Sequence, residues 1–114
     1  MTVMTRSNTS EDTDPLLTIA ADRSSTGVVL RAAGEIDVDS APLLRSAIEE
    51  AVDTGAPAID LDLSLVAFMD STGLSTIIAA RTRLGEGAVR VVAASEPVRR
   101  TLDLTGLGAL LVER

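Results

Sequence analysis

Residues 58–74 read Ala-Ile-Asp-Leu-Asp-Leu-Ser-Leu-Val-Ala-Phe-Met-Asp-Ser-Thr-Gly-Leu and combine a strand pattern with the start of a helix. Residues 58–63 form a β-type segment in which apolar and acidic residues alternate from position 59, which is typical of a strand with one buried face. Ser71 or Thr72 then opens a segment with apolar residues at spacings of three and four, which indicates a helix. The polar cluster at this junction lies where α/β folds place their sites.

Two β-type segments, residues 16–21 and 28–33, precede this stretch and are separated by turn-forming residues. Their spacing predicts an antiparallel hairpin. The apolar period then changes from two residues to about 3.6, which predicts an amphipathic helix. Asp39 or Ser40 can cap the start of this helix, and Gly55 ends it.

The segment after the junction continues the alternation of helices and strands. The second helix should end at Gly85 or Gly87, followed by a strand over residues 89–93, a third helix over 95–106 and a short last strand at 110–112. The order of elements predicts one α/β domain with a mixed sheet. Its N-terminal hairpin is antiparallel, and its later strands are parallel through right-handed crossovers.

The chain has 114 residues and 46% hydrophobic residues, which suffices for one independent core. Residues 1–14 are rich in Ser, Thr and Asp and carry no periodic apolar face, so they are predicted to form a flexible tail. Residues 15–114 are predicted to form the domain.

Composition excludes several classes of function. The chain contains no Cys, no His and, since all ten basic residues are Arg, no Lys. This rules out thiol and triad nucleophiles, zinc-thiolate sites, Schiff bases and the lysine of a P-loop. A net charge of −7 and a single aromatic residue, Phe68, argue against nucleic acid as a partner. The chain has no apolar run of membrane-spanning length and no signal peptide at residues 1–15, which predicts a cytoplasmic protein without a membrane partner.

The junction at residues 70–73 allows two local interpretations. In the first, Asp70 or Ser71 caps the helix, and Gly73 fits a tight first turn. In the second, a hydroxyl accepts a phosphate, which the free N–H groups and the helix dipole would stabilise. Gly73 would then allow the active site of a partner to approach the backbone.

Two motifs carry a family resemblance. Residues 62–64, Asp-Leu-Ser, precede residues 70–74, Asp-Ser-Thr-Gly-Leu, and residues 34–37, Gly-Glu-Ile-Asp, precede an Ala-Pro-Leu-Leu helix start. The two motifs, separated by one helix, resemble those of the bacterial STAS domains, the anti-sigma factor antagonist family. The resemblance extends over residues 15–113.

This resemblance implies a regulatory binding protein that takes part in partner switching in a stress response and is not an enzyme. It implies that the chain binds an anti-sigma factor with a histidine-kinase-like ATPase fold, which frees a sigma factor. The anti-sigma factor then phosphorylates Ser71 and loses its partner, and a serine phosphatase resets the switch. Asp37, Asp70, Thr72 and Gly73 would contribute to the partner surface around Ser71. No cofactor is implied.

Three positions depart from the family pattern. Thr72 replaces the more usual Ser, Leu65 stands where Gly is common and predicts a tighter or more buried loop, and Asp60 replaces an apolar residue. Asp60 and Asp62 also permit an alternative, a small metal-dependent phosphotransferase. Strand alternation explains the two carboxylates without a metal, so we expect no catalytic metal there. Another alternative is a STAS module of a different signalling or transport assembly.

Overall fold

The computed structural model describes residues 2–7, 15–85 and 87–112. In this part of the chain five strands form one mixed sheet in the spatial order of the sequence. The strands are β1 Thr2–Ser7, β2 Pro15–Ser24, β3 Gly27–Ile36, β4 Ile59–Met69 and β5 Val89–Ala94. The antiparallel part contains β1, β2 and β3, and the parallel part contains β3, β4 and β5.

Three helices connect or follow the parallel strands. They are α1 Ala41–Asp53, α2 Ser71–Leu84 and α3 Glu96–Leu104, followed by a short 3-10 helix at Gly108–Leu110. Because α1 links β3 to β4 and α2 links β4 to β5, the two helices run side by side and contact each other. This arrangement confirms the predicted α/β class, the hairpin and the mixed sheet. In the described residues no helix is long and apolar enough to cross a membrane.

The N-terminal segment corrects one prediction. Residues 2–7 form β1, which pairs antiparallel with β2, so the predicted flexible tail is wrong for these six residues. The β-branched residues Thr2, Val3 and Thr5 favour extended backbone, and the open edge of β2 supplies hydrogen-bonding partners. Neither property produces the apolar period on which the prediction relied. The rest of the predicted tail, residue 1 and residues 8–14, lies outside the described residues.

The strand β4 extends beyond the predicted 58–63, because two irregularities interrupt the alternation from which its end was predicted. Its pairing with β3 shifts register twice, each time with an additional residue on β4. After each shift the next buried residue comes three positions later, which places Leu63, Val66 and Met69 in the core. Leu65 and Phe68 point outward instead. Leu65 is 69% exposed, so the expectation of a more buried loop at this position is wrong.

The C-terminal half of β4 is not paired with β5 and instead lies next to α3 and its capping residue Ser95. The Ser95 backbone N–H donates to the Leu63 carbonyl at 3.1 Å, and the Ser95 hydroxyl donates to the Val66 carbonyl at 2.6 Å. The Thr101 hydroxyl donates to the Met69 carbonyl at 3.2 Å. These side chains satisfy carbonyls that a strand would otherwise bond, and they fix the strand end that leads into the junction.

The predicted last strand at 110–112 is only partly correct. The chain forms the 3-10 helix first and then a single parallel bridge between Leu111 and Val91. The Val112 N–H donates to the Val91 carbonyl at 2.7 Å. The 3-10 helix Gly108–Leu110 includes the first residue of the predicted strand, so too few residues remain after it for a regular β-ladder.

Candidate functional site

The candidate site lies where the parallel strands β3 and β4 end side by side. Ile36 is opposite Met69 in the register, and the Asp70 N–H donates to the Ile36 carbonyl at 3.1 Å. The two segments that follow the strands therefore lie next to each other. One is the loop of residues 37–40, and the other is Asp70 with the first turn of α2. The sheet brings together the two motifs that the sequence analysis singled out.

Asp70 caps α2. Its Oδ1 atom accepts hydrogen bonds from the backbone N–H groups of Thr72 at 2.9 Å and Gly73 at 3.2 Å. Its backbone is extended, as is typical of a capping residue. The capping interpretation is therefore confirmed for Asp70, which satisfies two of the N–H groups that have no partner within the helix.

Ser71 is the first residue of α2 and is exposed. Its hydroxyl makes no hydrogen bond to any other residue that the structure describes. Thr72 is half-buried and faces a groove between α1 and α2. Of these two neighbouring hydroxyls, the one on Ser71 is therefore the more accessible to another protein.

The cap also limits where a phosphate on Ser71 could go. The phospho-acceptor interpretation assumed that the N–H groups at the start of α2 are free, whereas those of Thr72 and Gly73 are bonded to Asp70. A phosphate could bond them only by displacing the Asp70 carboxylate. We therefore expect the phosphate to point outward, toward the partner surface.

Gly73 packs against the ends of two strands. The residue is buried, and a Cβ atom there would lie 2.6 Å from Ile36 Cγ2 and 2.8 Å from Met69 Cγ. The absence of a side chain lets the first turn of α2 pack against the ends of β3 and β4. Gly73 therefore supports packing of the first turn of α2, and its contribution to the partner surface stays a prediction.

Asp37 belongs to a loop that is held by hydrogen bonds within it. Its Oδ1 atom accepts from the N–H groups of Asp39 at 3.0 Å and Ser40 at 3.1 Å. The Ser40 side chain, which is fully buried, donates to the Glu35 carbonyl at 2.7 Å and accepts from the Asp37 N–H at 2.9 Å. Asp37 thus has a structural role in the loop besides any contact with a partner.

Ser40 occupies the N-cap position of α1, as one of the two predicted alternatives had it, but its side chain makes no capping hydrogen bond. Its hydroxyl is used by the preceding loop instead. Pro42, in the first turn of α1, has no N–H that would require a cap.

Three exposed apolar side chains near the strand ends were not predicted as part of the site. Val38, in the Asp37 loop, is 66% exposed, and Phe68 and Leu65 on β4 are 49% and 69% exposed. For Leu65 and Phe68, the sequence signal is the spacing of three between the apolar residues 63, 66 and 69, which indicates that the residues between them face outward.

Asp60 and Asp62 are bound by arginines and a hydroxyl. Arg90 Nε lies 3.1 Å from Asp60 Oδ1, and Arg31 Nε lies 3.7 Å from Asp62 Oδ2. Asp62 Oδ1 also accepts from the Ser64 hydroxyl at 2.6 Å. The described residues contain no cluster of three or more ligands for a metal ion. The acidic residue at position 60 is accommodated because the cross-strand neighbour is an arginine.

Comparison with known proteins gives a consistent result. The family model described as STAS domain matches residues 18–112. The chain is 36% identical over 95 residues to the anti-sigma-F factor antagonist RsfB of Mycobacterium tuberculosis, an alignment that covers 82% of this chain and 77% of RsfB.

Two solved structures resemble the fold. A crystal structure of an anti-sigma factor antagonist from Mycobacterium paratuberculosis has a TM-score of 0.73 and 35% identity, with 83% of this chain and 82% of that chain covered. The anti-sigma factor antagonist SpoIIAA in its unphosphorylated form has a TM-score of 0.71 and 25% identity, with 84% and 87% covered. The chain therefore belongs to the STAS domain family.

Proposed function

We propose that this protein is an anti-sigma factor antagonist that binds an anti-sigma factor and releases a sigma factor, and that phosphorylation of Ser71 ends this binding. The observation that carries the proposal is the exposed Ser71 hydroxyl, which has no partner among the described residues and lies beside the Asp37 loop. The proposed kinase is the anti-sigma factor itself, with a histidine-kinase-like ATPase fold. A serine phosphatase would restore the binding form.

The similar proteins support this proposal. RsfB and the Mycobacterium paratuberculosis protein are both named antagonists of anti-sigma factors. SpoIIAA has been solved in a form described as unphosphorylated, which indicates that phosphorylation distinguishes two states of that protein. The Asp-Ser-Thr-Gly sequence at residues 70–73 provides a hydroxyl at a helix start in this chain.

Charge explains why a phosphate would weaken binding. The two loops at the site carry Asp37, Asp39 and Asp70, so the surface favours a partner with arginine or lysine. A phosphate adds a charge of about −1.5 to −2 and three oxygen atoms that would be desolvated in an interface. Repulsion from Asp70 increases this cost, because the Asp70 carboxylate is held at the start of α2 by its two hydrogen bonds.

In this proposal the protein acts by binding and catalyses no reaction. Its partner controls a sigma factor, so the switch operates in the cytoplasm and requires neither a nucleic acid nor a membrane surface. Asp37, Asp70 and Thr72 surround the acceptor, with Ser71 at the centre of the contact.

The experiment has two steps. Ser71→Ala protein is used to capture partners from an extract of the source cells, and the captured anti-sigma factor is identified by mass spectrometry and produced in pure form. Wild-type protein is then incubated with this factor and ATP. We expect one phosphate on Ser71 by peptide mapping, no phosphate on Ser71→Ala and normal phosphorylation of Ser75→Ala, which removes an exposed hydroxyl one turn away.

Phosphate on Thr72 or Ser75 of the wild-type protein would contradict the assignment of the acceptor. Recovery of a transporter or of another signalling assembly, with no anti-sigma factor, would favour a STAS module of a different kind.

A further inference from the structure

A groove of about 310 Å³ runs between α1 and α2. Arg45 and Glu49 of α1 line one side of it, and Thr72 and Arg83 of α2 line the other. The buried apolar side chains of Ile48 and Ala80 form its base. The groove therefore combines an apolar base with charged walls.

Arg45 and Arg83 have no ion pair or side-chain hydrogen bond with any residue that the structure describes. Arg45 is four positions before Glu49 on α1, yet the two side chains are not paired. Elsewhere in the described part of the chain Arg31, Arg90 and Arg100 each contact a carboxylate. Two arginines and one glutamate line the groove, so positive charge exceeds negative charge there, although the protein has a net charge of −7.

The groove is continuous with the proposed partner surface. Thr72, which lines the groove, directly follows Ser71. A kinase that reaches the Ser71 hydroxyl must cover the first turn of α2, so part of it lies over this end of the groove. Ser75, which also lines the groove, is exposed one turn further along the same helix.

We infer that the groove between α1 and α2 receives an acidic segment of the anti-sigma factor. This inference rests on the proposed function. Guanidinium groups bind carboxylates through short, charge-assisted hydrogen bonds, and Arg45 and Arg83 are both available for them. The apolar base accommodates the aliphatic parts of the same segment. A second copy of this chain is a poorer occupant, because two molecules of net charge −7 repel each other.

Two contacts of opposite sign would set the orientation of the complex. The Asp37 and Asp70 end of the surface favours basic residues of the partner, and the groove favours acidic ones. A partner rotated out of this arrangement would place like charges together, which is costly at an interface. The groove would therefore help to direct the kinase active site to Ser71.

The test measures binding of the purified anti-sigma factor by isothermal titration calorimetry. The variants are Arg45→Glu and Arg83→Glu, and the matched control is Arg100→Glu, which makes the same change of charge at a 70% exposed side chain on α3. We expect each groove variant to bind about tenfold or more weakly, because it places like charges together. The control should bind within about twofold of the wild type, because its exposed charge lies outside the contact and is screened by salt. Circular dichroism melting curves verify that all three variants are folded.

The outcomes separate this inference from the proposed function. If the wild-type protein binds the anti-sigma factor and the groove variants bind equally well, only the inference about the groove is wrong. If the wild-type protein does not bind an anti-sigma factor, both fail. Self-association of the wild type that is lost in Arg45→Glu, with partner binding unchanged, would assign the groove to a second copy and contradict the inference. A loss of affinity equal in the control and in the groove variants would also contradict it, because it would reflect net charge alone.

Discussion

Asp70 and Ser71 are neighbours in the chain but have different roles. The Asp70 carboxylate faces the backbone of α2 and accepts two hydrogen bonds, whereas the Ser71 hydroxyl makes none to the described residues. Gly73 and Ser40 lie inside the protein and position the two loops. Substitutions at these buried positions should act on stability, and substitution of Ser71 should act on binding.

Gly73→Ala should lower the free energy of unfolding by about 1–3 kcal/mol, the usual range for inserting a methyl group into a filled space. The new Cβ atom would meet Ile36 and Met69 at less than 3 Å. Urea unfolding followed by far-ultraviolet circular dichroism measures the change, since the chain has no Trp or Tyr. Gly87→Ala is the control, because a Cβ atom there has no neighbour within 4 Å. Equal stability of the two variants would contradict the packing role.

Ser40→Ala should destabilise the protein by about 1–3 kcal/mol, because it removes a fully buried hydroxyl that bonds the Asp37 N–H and the Glu35 carbonyl and leaves both groups without this partner. Ser46→Ala, at an exposed position of α1, should change stability by less than about 0.5 kcal/mol. The same unfolding measurement applies. A loss no larger for Ser40→Ala than for Ser46→Ala would show that the loop does not depend on this hydroxyl.

Among the elements, α2 begins directly after Asp70, which caps it, and the charged pair of Asp60 and Arg90 joins β4 to β5. The sequence predicts the three helices and the centres of β2 to β5, since each has a clear period of 3.6 or 2 residues. It does not predict β1, whose formation depends on the open edge of β2, or the end of β4. In that part of β4 two added residues change the alternation, so Leu65 and Phe68 become exposed.

In the candidate site, too, the sequence predicts some residues and misses others. Asp70 and Asp37 are found from motifs because their carboxylates accept hydrogen bonds from backbone groups two or three residues away, and Ser71 is proposed from the same motif as Asp70. The burial of Gly73 depends on Ile36 and Met69, which come from two other elements, and the hydroxyl of Ser40 bonds a carbonyl in the preceding strand. Such contacts between elements leave no local period in the sequence.

Asp70→Ala should destabilise α2 and lower the free energy of unfolding by about 1 kcal/mol, the usual effect of losing a helix cap. Asp70→Asn should retain most of the stability, because asparagine caps about as well as aspartate. Urea unfolding of the two variants measures the difference. If Asp70→Asn lost as much stability as Asp70→Ala, the contribution of Asp70 would come from its charge rather than from the cap.

Arg90→Ala should lower the free energy of unfolding by about 1–3 kcal/mol, because it removes hydrogen bonds from the carboxylate of Asp60, which is only 5% exposed. Arg100→Ala breaks an exposed ion pair on α3 and should cost less than about 0.5 kcal/mol. Thermal unfolding by circular dichroism compares the two. Similar effects of both substitutions would mean that Asp60 does not depend on Arg90.

At the scale of the whole molecule, the sheet brings the loop after β3 and the start of α2 to one edge, and the core lies behind them. In the proposed switch, a phosphate on the exposed Ser71 would add charge to this edge without entering the core. We therefore expect the two states of the protein to have the same fold and different affinities for the anti-sigma factor.

The most direct test compares the affinity of one purified anti-sigma factor for three forms: wild type, wild type phosphorylated on Ser71, and Ser71→Ala. We predict that the phosphorylated form binds at least about tenfold more weakly, a difference of about 1.4 kcal/mol. The other two forms should bind alike, and all three should have the same circular dichroism spectrum. Equal affinity of the phosphorylated wild type and Ser71→Ala would contradict the account.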